Sequence, residues 1–214
     1  MQKLRQIYIY HLKFHTLKRI LSTLYLFFCL TAVAYSQDLG DRIDLSNSKA
    51  AKGLKFSICP PSGWRVQEAK NPNVTVEFVN QINGDSFNIT IAHAPTFISK
   101  KEFIQIKDEA IKENKNVLKQ HYDIFLGCDT EIIKIDSYPF IKFTARGFVK
   151  LNSTGLTPCR IVMFIGWIED LVLTLNGMEF NYATNNNKIP RLYERVATSL
   201  SLYEQYDYVN TGRP

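Results

Sequence analysis

Between Thr130 and Leu175 the chain reads as four consecutive strands joined by turns with room for little more than hairpins. Thr130–Ile135 runs into Asp136-Ser-Tyr-Pro139, and Phe140–Val149 into Asn152-Ser-Thr-Gly155. Arg160–Trp167 runs into Glu169-Asp170, and Leu171–Leu175 closes the series. Parallel neighbours need a crossover of a dozen or more residues, so connections this short dictate an antiparallel meander. Its third strand contains Ile161-Val-Met-Phe-Ile165 without a polar break, which predicts cover on both faces.

The residues before the meander supply more strands and that cover. Leu54-Lys-Phe-Ser-Ile58 alternates apolar with polar, and Cys59-Pro60-Pro61-Ser62-Gly63 stops it before Trp64-Arg65-Val66 resumes an extended pattern. After an Asn71-Pro72-Asn73 turn, Val74, Val76 and Phe78 alternate. Phe87, Ile89 and Ile91 do so again beyond Asn83-Gly84-Asp85, which predicts a β-hairpin. The period then changes. Ser99-Lys-Lys-Glu102 has the form of a capping box. Phe103, Ile106, Ala110 and Val117 follow at helical spacing, flanked by Ile104, Ile111 and Leu118, with Lys107, Asp108, Lys112, Glu113 and Lys115 on the other side. Beyond the meander, 177–188 reads as an Asn-rich loop. Pro190 opens a second helix that aligns Leu192, Val196, Leu200 and Tyr203. The order of elements predicts an α+β domain: a single antiparallel twisted sheet of about six to seven strands with helices packed on it, an α/β/α sandwich.

The N-terminus belongs to a different class of sequence. Lys3, Arg5, Lys13, Lys18 and Arg19 form a basic region without an acid, Leu21–Ala34 is an apolar run, and Ala32-Val-Ala-Tyr-Ser36 precedes Gln37. This is the grammar of a secretory signal cut between Ser36 and Gln37. The apolar run is shorter than the roughly 20 residues of a membrane span. The expected organisation is a signal peptide over 1–36, a flexible leader over 37–53, the α+β domain over 54–203 and a C-terminal tail over 204–214. Export implies a periplasmic or extracellular location, with no membrane association after cleavage. The whole chain has 26 Lys+Arg and 20 Asp+Glu, but cleavage leaves 21 basic residues against 20 acidic ones. A near-neutral domain lacks the electrostatic footprint of a nucleic-acid binder.

Three cysteines follow the signal: Cys59, Cys128 and Cys159. Pairing Ile135 with Phe140 puts Cys128 near Gly147, and pairing Val149 with Pro158 puts Cys159 near Phe148. The two thiols then flank one strand from opposite sides, about 10 Å apart at Cα. A disulfide needs less than about 7 Å, so Cys128 and Cys159 are predicted not to bridge. Pairing of Cys59 with either stays open.

No residue set predicts catalysis, a cofactor or a metal. Only His93 and His121 follow the signal, neither beside a nucleophile or an orienting carboxylate. Nearby acids such as Asp123, Asp129 and Glu131 could be assembled into an acid–base pair on paper, as such trios could in any exported domain. The cysteine spacing is unlike a zinc motif. Asn73-Val-Thr75, Asn88-Ile-Thr90 and Asn152-Ser-Thr154 are glycosylation sequons. Trp64, Trp167, Phe140, Phe148 and Phe164 read as core, with an apolar pocket or groove as the alternative.

Pro61-Ser-Gly-Trp64, the Asn71-Pro72 turn, the hairpin, the capped helix after Thr96, Tyr138-Pro139 and Val196-Ala-Thr-Ser-Leu200 together resemble the PsbP-like superfamily over Leu54–Leu202. That superfamily includes exported bacterial proteins of the DcrB kind. The resemblance implies an antiparallel sheet of six or seven strands between helices. It also implies an accessory role: the family includes an extrinsic photosystem subunit, a Ran-binding release factor and chaperones of secreted effectors, with no shared catalytic residues. The expectation is an exported bacterial binding or accessory module that is not an enzyme, its partner a protein or a small apolar ligand. The alternatives are a carrier holding that ligand between the sheet and the 99–118 helix, and a hydrolase with a site near His93 or His121.

Overall fold

A computed structural model of the chain describes residues 39–67, 71–94, 98–152, 155–182 and 188–203. The expected 1–36 signal, its expected Ser36/Gln37 cleavage point and the expected 204–214 tail lie outside the described residues. Seven strands form one fully antiparallel sheet: β3 (Arg65–Gln67), β4 (Val74–Val79), β5 (Ser86–His93), β6 (Ile124–Ile135), β7 (Tyr138–Asn152), β8 (Gly155–Ile168) and β9 (Leu171–Phe180). Their order across the sheet is β3-β4-β5-β9-β8-β7-β6. Helix α1 (Lys100–Gln120) carries the chain from β5 to the far edge. The meander then returns to lay β9 against β5, from Ser86↔Met178 to His93↔Leu171.

The sheet separates two apolar layers. Val162, Phe164, Leu173 and Leu175 point to one side with Phe78, Phe87, Ile89 and Phe140. Ile161, Met163, Ile165, Ile141 and Phe143 point to the other, under Phe103, Ala110 and Leu118 of α1. Alternation within a strand explains why Ile161–Ile165 is buried throughout: successive side chains serve opposite layers. Helix α1 starts as its sequence predicts. The Ser99 hydroxyl accepts from the Glu102 N–H at 3.2 Å, and the Glu102 carboxylate accepts from the Ser99 N–H at 2.8 Å. Its buried stripe differs from the predicted one, because Leu118 faces the core and Val117 faces solvent, as does Ile104.

The first layer is covered by helix α2 (Lys188–Thr198) and by a second sheet of three short strands, β1 (Ile43–Asp44), β2 (Phe56–Ile58) and β10 (Ser201–Leu202). The domain is therefore the expected α+β sandwich on one antiparallel sheet of seven strands, to which this small second sheet is added. The Leu54–Ile58 segment joins it, between Ile43 on one side and Leu202 on the other. The expected flexible leader is corrected too. Within 39–53, Leu39 bridges to Pro61, β1 pairs with β2, and Ala51 in a 3-10 turn is fully buried. Its polar composition hides this because the contacts are made by backbone and by a few scattered apolar side chains, Leu39, Ile43, Leu45 and Ala51, that follow no regular period.

Two strands run longer than expected. β6 begins at Ile124, six residues before the predicted Thr130, past a bulge between Phe125 and Gly127. β9 continues to Phe180 through Gly177, where a loop was expected. A Cβ on Gly177 would lie 2.3 Å from the Tyr193 ring, so this glycine makes room for α2 and does not break the strand. The Tyr193 hydroxyl donates to Met178 O at 2.6 Å. The opposite face repeats the device. A Cβ on Gly147 would lie 2.4 Å from the Tyr122 ring, and the Tyr122 hydroxyl donates to Ala145 O at 3.1 Å.

At the first meander turn Asp136 and Ser137 both have positive φ, 43° and 69°, the pair of angles of a two-residue type I′ hairpin. Ile135 therefore faces Tyr138 and not Phe140, so every β6 partner shifts from the expected register. The Asp136 carboxylate also accepts from the Leu202 N–H at 2.6 Å, which ties β10 to this turn.

Candidate functional site

The two histidines stand apart. His93 ends β5, with its Nδ1 3.8 Å from an Asp170 oxygen, both side chains exposed. His121 caps the C-terminus of α1, its backbone N–H donating to Leu118 O. The three acids that follow it in sequence are engaged elsewhere. Asp123 accepts from the Lys150 N–H at 2.7 Å, Asp129 pairs with Arg146, and Glu131 pairs with Lys142. Lys142 is largely buried and also meets Glu194 of α2. Burial works to lower its pKa, but the hydrogen bonds from Glu131 and Glu194 outweigh it and raise the value. These ion pairs join elements and commit Asp129 and Glu131 to basic side chains, not to a histidine.

Cys128 sits opposite Ala145 and Cys159 opposite Gly147, on the two flanks of β7 and on its α1 face. All three described cysteines are free thiols. Burial pushes Cys159 up to about 11, helped by Asp85 and Glu179, and burial also raises Cys128. Thiols held in the neutral form are poor nucleophiles. The aromatic set divides. Phe140 and Phe164 lie in the layer under α2, with Trp64 edge-on to Tyr193 at 6.1 Å between ring centres. Trp167 lies in the other layer, 5.5 Å from Phe103. Among the sequons, Asn73 is exposed before β4, Asn88 is half-buried within β5, and Ser153-Thr154 lie outside the described residues.

Two features are visible only with the strands in register. The first is a buried polar cluster. Arg160 of β8 faces Glu179 of β9, Nη1 to Oε2 3.3 Å, with both side chains almost wholly enclosed. Asp85, immediately before β5, is 1 % exposed and its carboxylate accepts from the Phe180 N–H at 2.9 Å. The Arg160 guanidinium lies 4.5 Å over the Tyr182 ring. Burial pushes Glu179 up to about 7; Arg160 acts against that rise and Asp85 with it. The sequence signal was the alternation Leu171, Leu173, Leu175, Gly177, which continues inward to Glu179 once Gly177 is accepted as a strand residue.

The second is an apolar band. Ile124, Phe148 and Pro158 are consecutive partners across β6, β7 and β8, and Leu156 lies two residues along from Pro158 on the same face. Cross-strand partners share a face, so these side chains are neighbours. Ile124 and Leu156 are 46 % and 47 % exposed, and Leu126 beside the bulge is 60 % exposed. Arg146 and Lys150 flank Phe148 along β7. Among the described residues no group of His, Cys, Asp and Glu has the arrangement of a metal site, and no helix is long and apolar enough to cross a membrane.

No protein-family model and no curated protein matches the chain. Solved structures similar to it include cyanobacterial PsbP (CyanoP) from Synechocystis, at 17% identity and TM-score 0.49, over 78% of this chain and 94% of that one. LpqN, involved in cell envelope biogenesis of Mycobacterium tuberculosis, aligns at 8% identity and TM-score 0.45, over 76% and 90%. A Bacteroides thetaiotaomicron protein aligns at 16% identity and TM-score 0.46 over 78% of this chain, which spans 49% of that one.

Proposed function

We propose that the domain is an exported, non-catalytic binding or accessory module that holds a protein partner. The observation that carries this reading is the apolar band of Ile124, Phe148, Pro158 and Leu156 on a face of the sheet beside, and not beneath, the α2 layer. Water contact with a contiguous apolar surface is unfavourable by about 25 cal/mol per Å², and a partner relieves that cost. Lys150 flanks the band as a basic border beside the Arg146–Asp129 pair, which fits an apolar segment with an acidic neighbour. The chemistry-bearing groups support the same reading. The histidines are separate, burial raises the Cys128 and Cys159 thiols, and the carboxylates of Asp129 and Glu131 on β6 are committed to β7. The signal over 1–36 supports export.

The test is capture from the cell envelope with the domain beginning at Gln37, run beside an Ile124→Glu/Leu126→Glu variant of equal thermal stability. A partner retained by the first and lost by the second is the expected result. Equal recovery by both removes the band from the reading. Hydrolytic activity that disappears on changing His93 or His121 overturns the module itself.

A further inference from the structure

The buried cluster sets Glu179 of β9 between Asp85, which precedes β5, and Arg160, its partner on β8. Asp85 is stitched on both oxygens: Oδ1 accepts from the Phe180 N–H and Oδ2 from Asn83 Nδ2 at 2.7 Å. The Asp85 carbonyl accepts from the Asn80 N–H at 2.8 Å, and Gly84 N–H donates back to Asn80 O at 2.9 Å. The Asn80–Asp85 loop is thereby clamped onto the last residue of β9. Glu179 is placed differently. Its Oε2 is buried within 3.3 Å of Arg160 Nη1, yet it makes no hydrogen bond of good geometry. Burial raises both carboxyls; two acceptor contacts act against that rise on Asp85, and only Arg160 acts against it on Glu179, where Asp85 adds to it. With both carboxyls ionised the cluster carries an excess negative charge in an apolar layer, the costly state.

We propose that Asp85, Arg160 and Glu179 form a proton-operated latch, closed on the Asn80–Asp85 loop when Glu179 is neutral and loosened when Glu179 ionises. The charged groups acting on Glu179 are Arg160 from β8 and Asp85 from the loop. Tyr193 of α2 and Cys159, whose side chain is on the opposite face, are pushed up by burial and stay neutral near pH 7. Tyr182 lies on the far side of the guanidinium. In the unfolded chain Glu179 titrates at 4.5, and in the fold at about 7. Between those values only the native state holds the proton, so stability is full below pH 4.5 and falls as pH rises to about 7.

The experiment is denaturant unfolding from pH 4.5 to 8.5 on the native sequence, Glu179→Gln and Asp85→Asn. Alongside it, amide exchange of Asn80–Asp85 and Phe180 is corrected for intrinsic base catalysis. The expected result is a folding constant that drops roughly ten- to a hundredfold across the window in the native protein and stays flat in Glu179→Gln. Loop opening should rise over the same pH range. An equal slope in both proteins, or a slope abolished only by Asp85→Asn, overturns the latch. If Glu179→Gln does not fold, carboxyl-carbon NMR of the native protein decides: a Glu179 titration near 7 upholds the latch and one near 4.5 overturns it.

Discussion

Tyr193 and Gly177 show how much one side chain organises. The ring covers the glycine, the hydroxyl donates to Met178 O, and Trp64 and Phe87 contact the ring at 6.1 and 5.6 Å. Tyr193→Phe keeps the packing and removes one buried hydrogen bond, so it is expected to cost about 1 kcal/mol in unfolding experiments. Gly177→Ala sets a methyl group against the ring and is expected to cost about 1–3 kcal/mol with displacement of α2. Thiol reactivity is tested at the same scale. Cys159, buried and held neutral, is expected to resist alkylation until the protein unfolds. Sequence reading found the residues of the buried cluster but assigned them to a turn, a strand start and a loop. Nothing local distinguishes Asp85, Arg160 or Glu179, because what makes them a cluster is the β8–β9 register and the return of β5 beside β9.

At the scale of elements, local rules read well wherever a signal is satisfied within a few residues. The capping box at Ser99 and the β4–β5 hairpin are such cases. Ser99→Ala is expected to lower stability by about 1 kcal/mol, through loss of the acceptor for the Glu102 N–H. The stripe of α1 was legible only in part, since Val117 and Leu118 are adjacent apolar residues and helical spacing permits either. Contact with the sheet selects Leu118. Leu118→Ala is expected to cost about 2–4 kcal/mol and Val117→Ala less than about 0.5, measured by denaturant midpoint. The meander's register was displaced because the turn is the two-residue Asp136-Ser137 hairpin, not the longer one its Tyr-Pro sequence advertised. The physical conclusion about Cys128 and Cys159 does not depend on that shift, since a whole strand still separates them. Non-reducing peptide mapping is expected to recover no 128–159 cross-link.

For the whole molecule, the face under α2 is completed by pieces remote in sequence. β1, β2 and β10 come from opposite ends of the domain, and Cys59 N–H donates to Ser199 Oγ across the same junction at 2.9 Å. A chain beginning at Leu54 therefore uncovers β2 and removes Ala51, and is expected to unfold at lower denaturant than one beginning at Gln37. The amino-acid order alone determined the antiparallel meander, the capped helix, the double burial of Ile161–Ile165 and the near-neutral charge of residues 37–214. Each follows from periodicity, turn length or counting, which act over a few residues. Only the tertiary structure decided that residues 39–53 belong to the fold, that Gly177 continues a strand, and that Asp85, Arg160 and Glu179 share one buried site. It alone aligned Ile124, Phe148 and Pro158 into a band. These depend on which strands become neighbours, a long-range choice made by packing that no local pattern encodes.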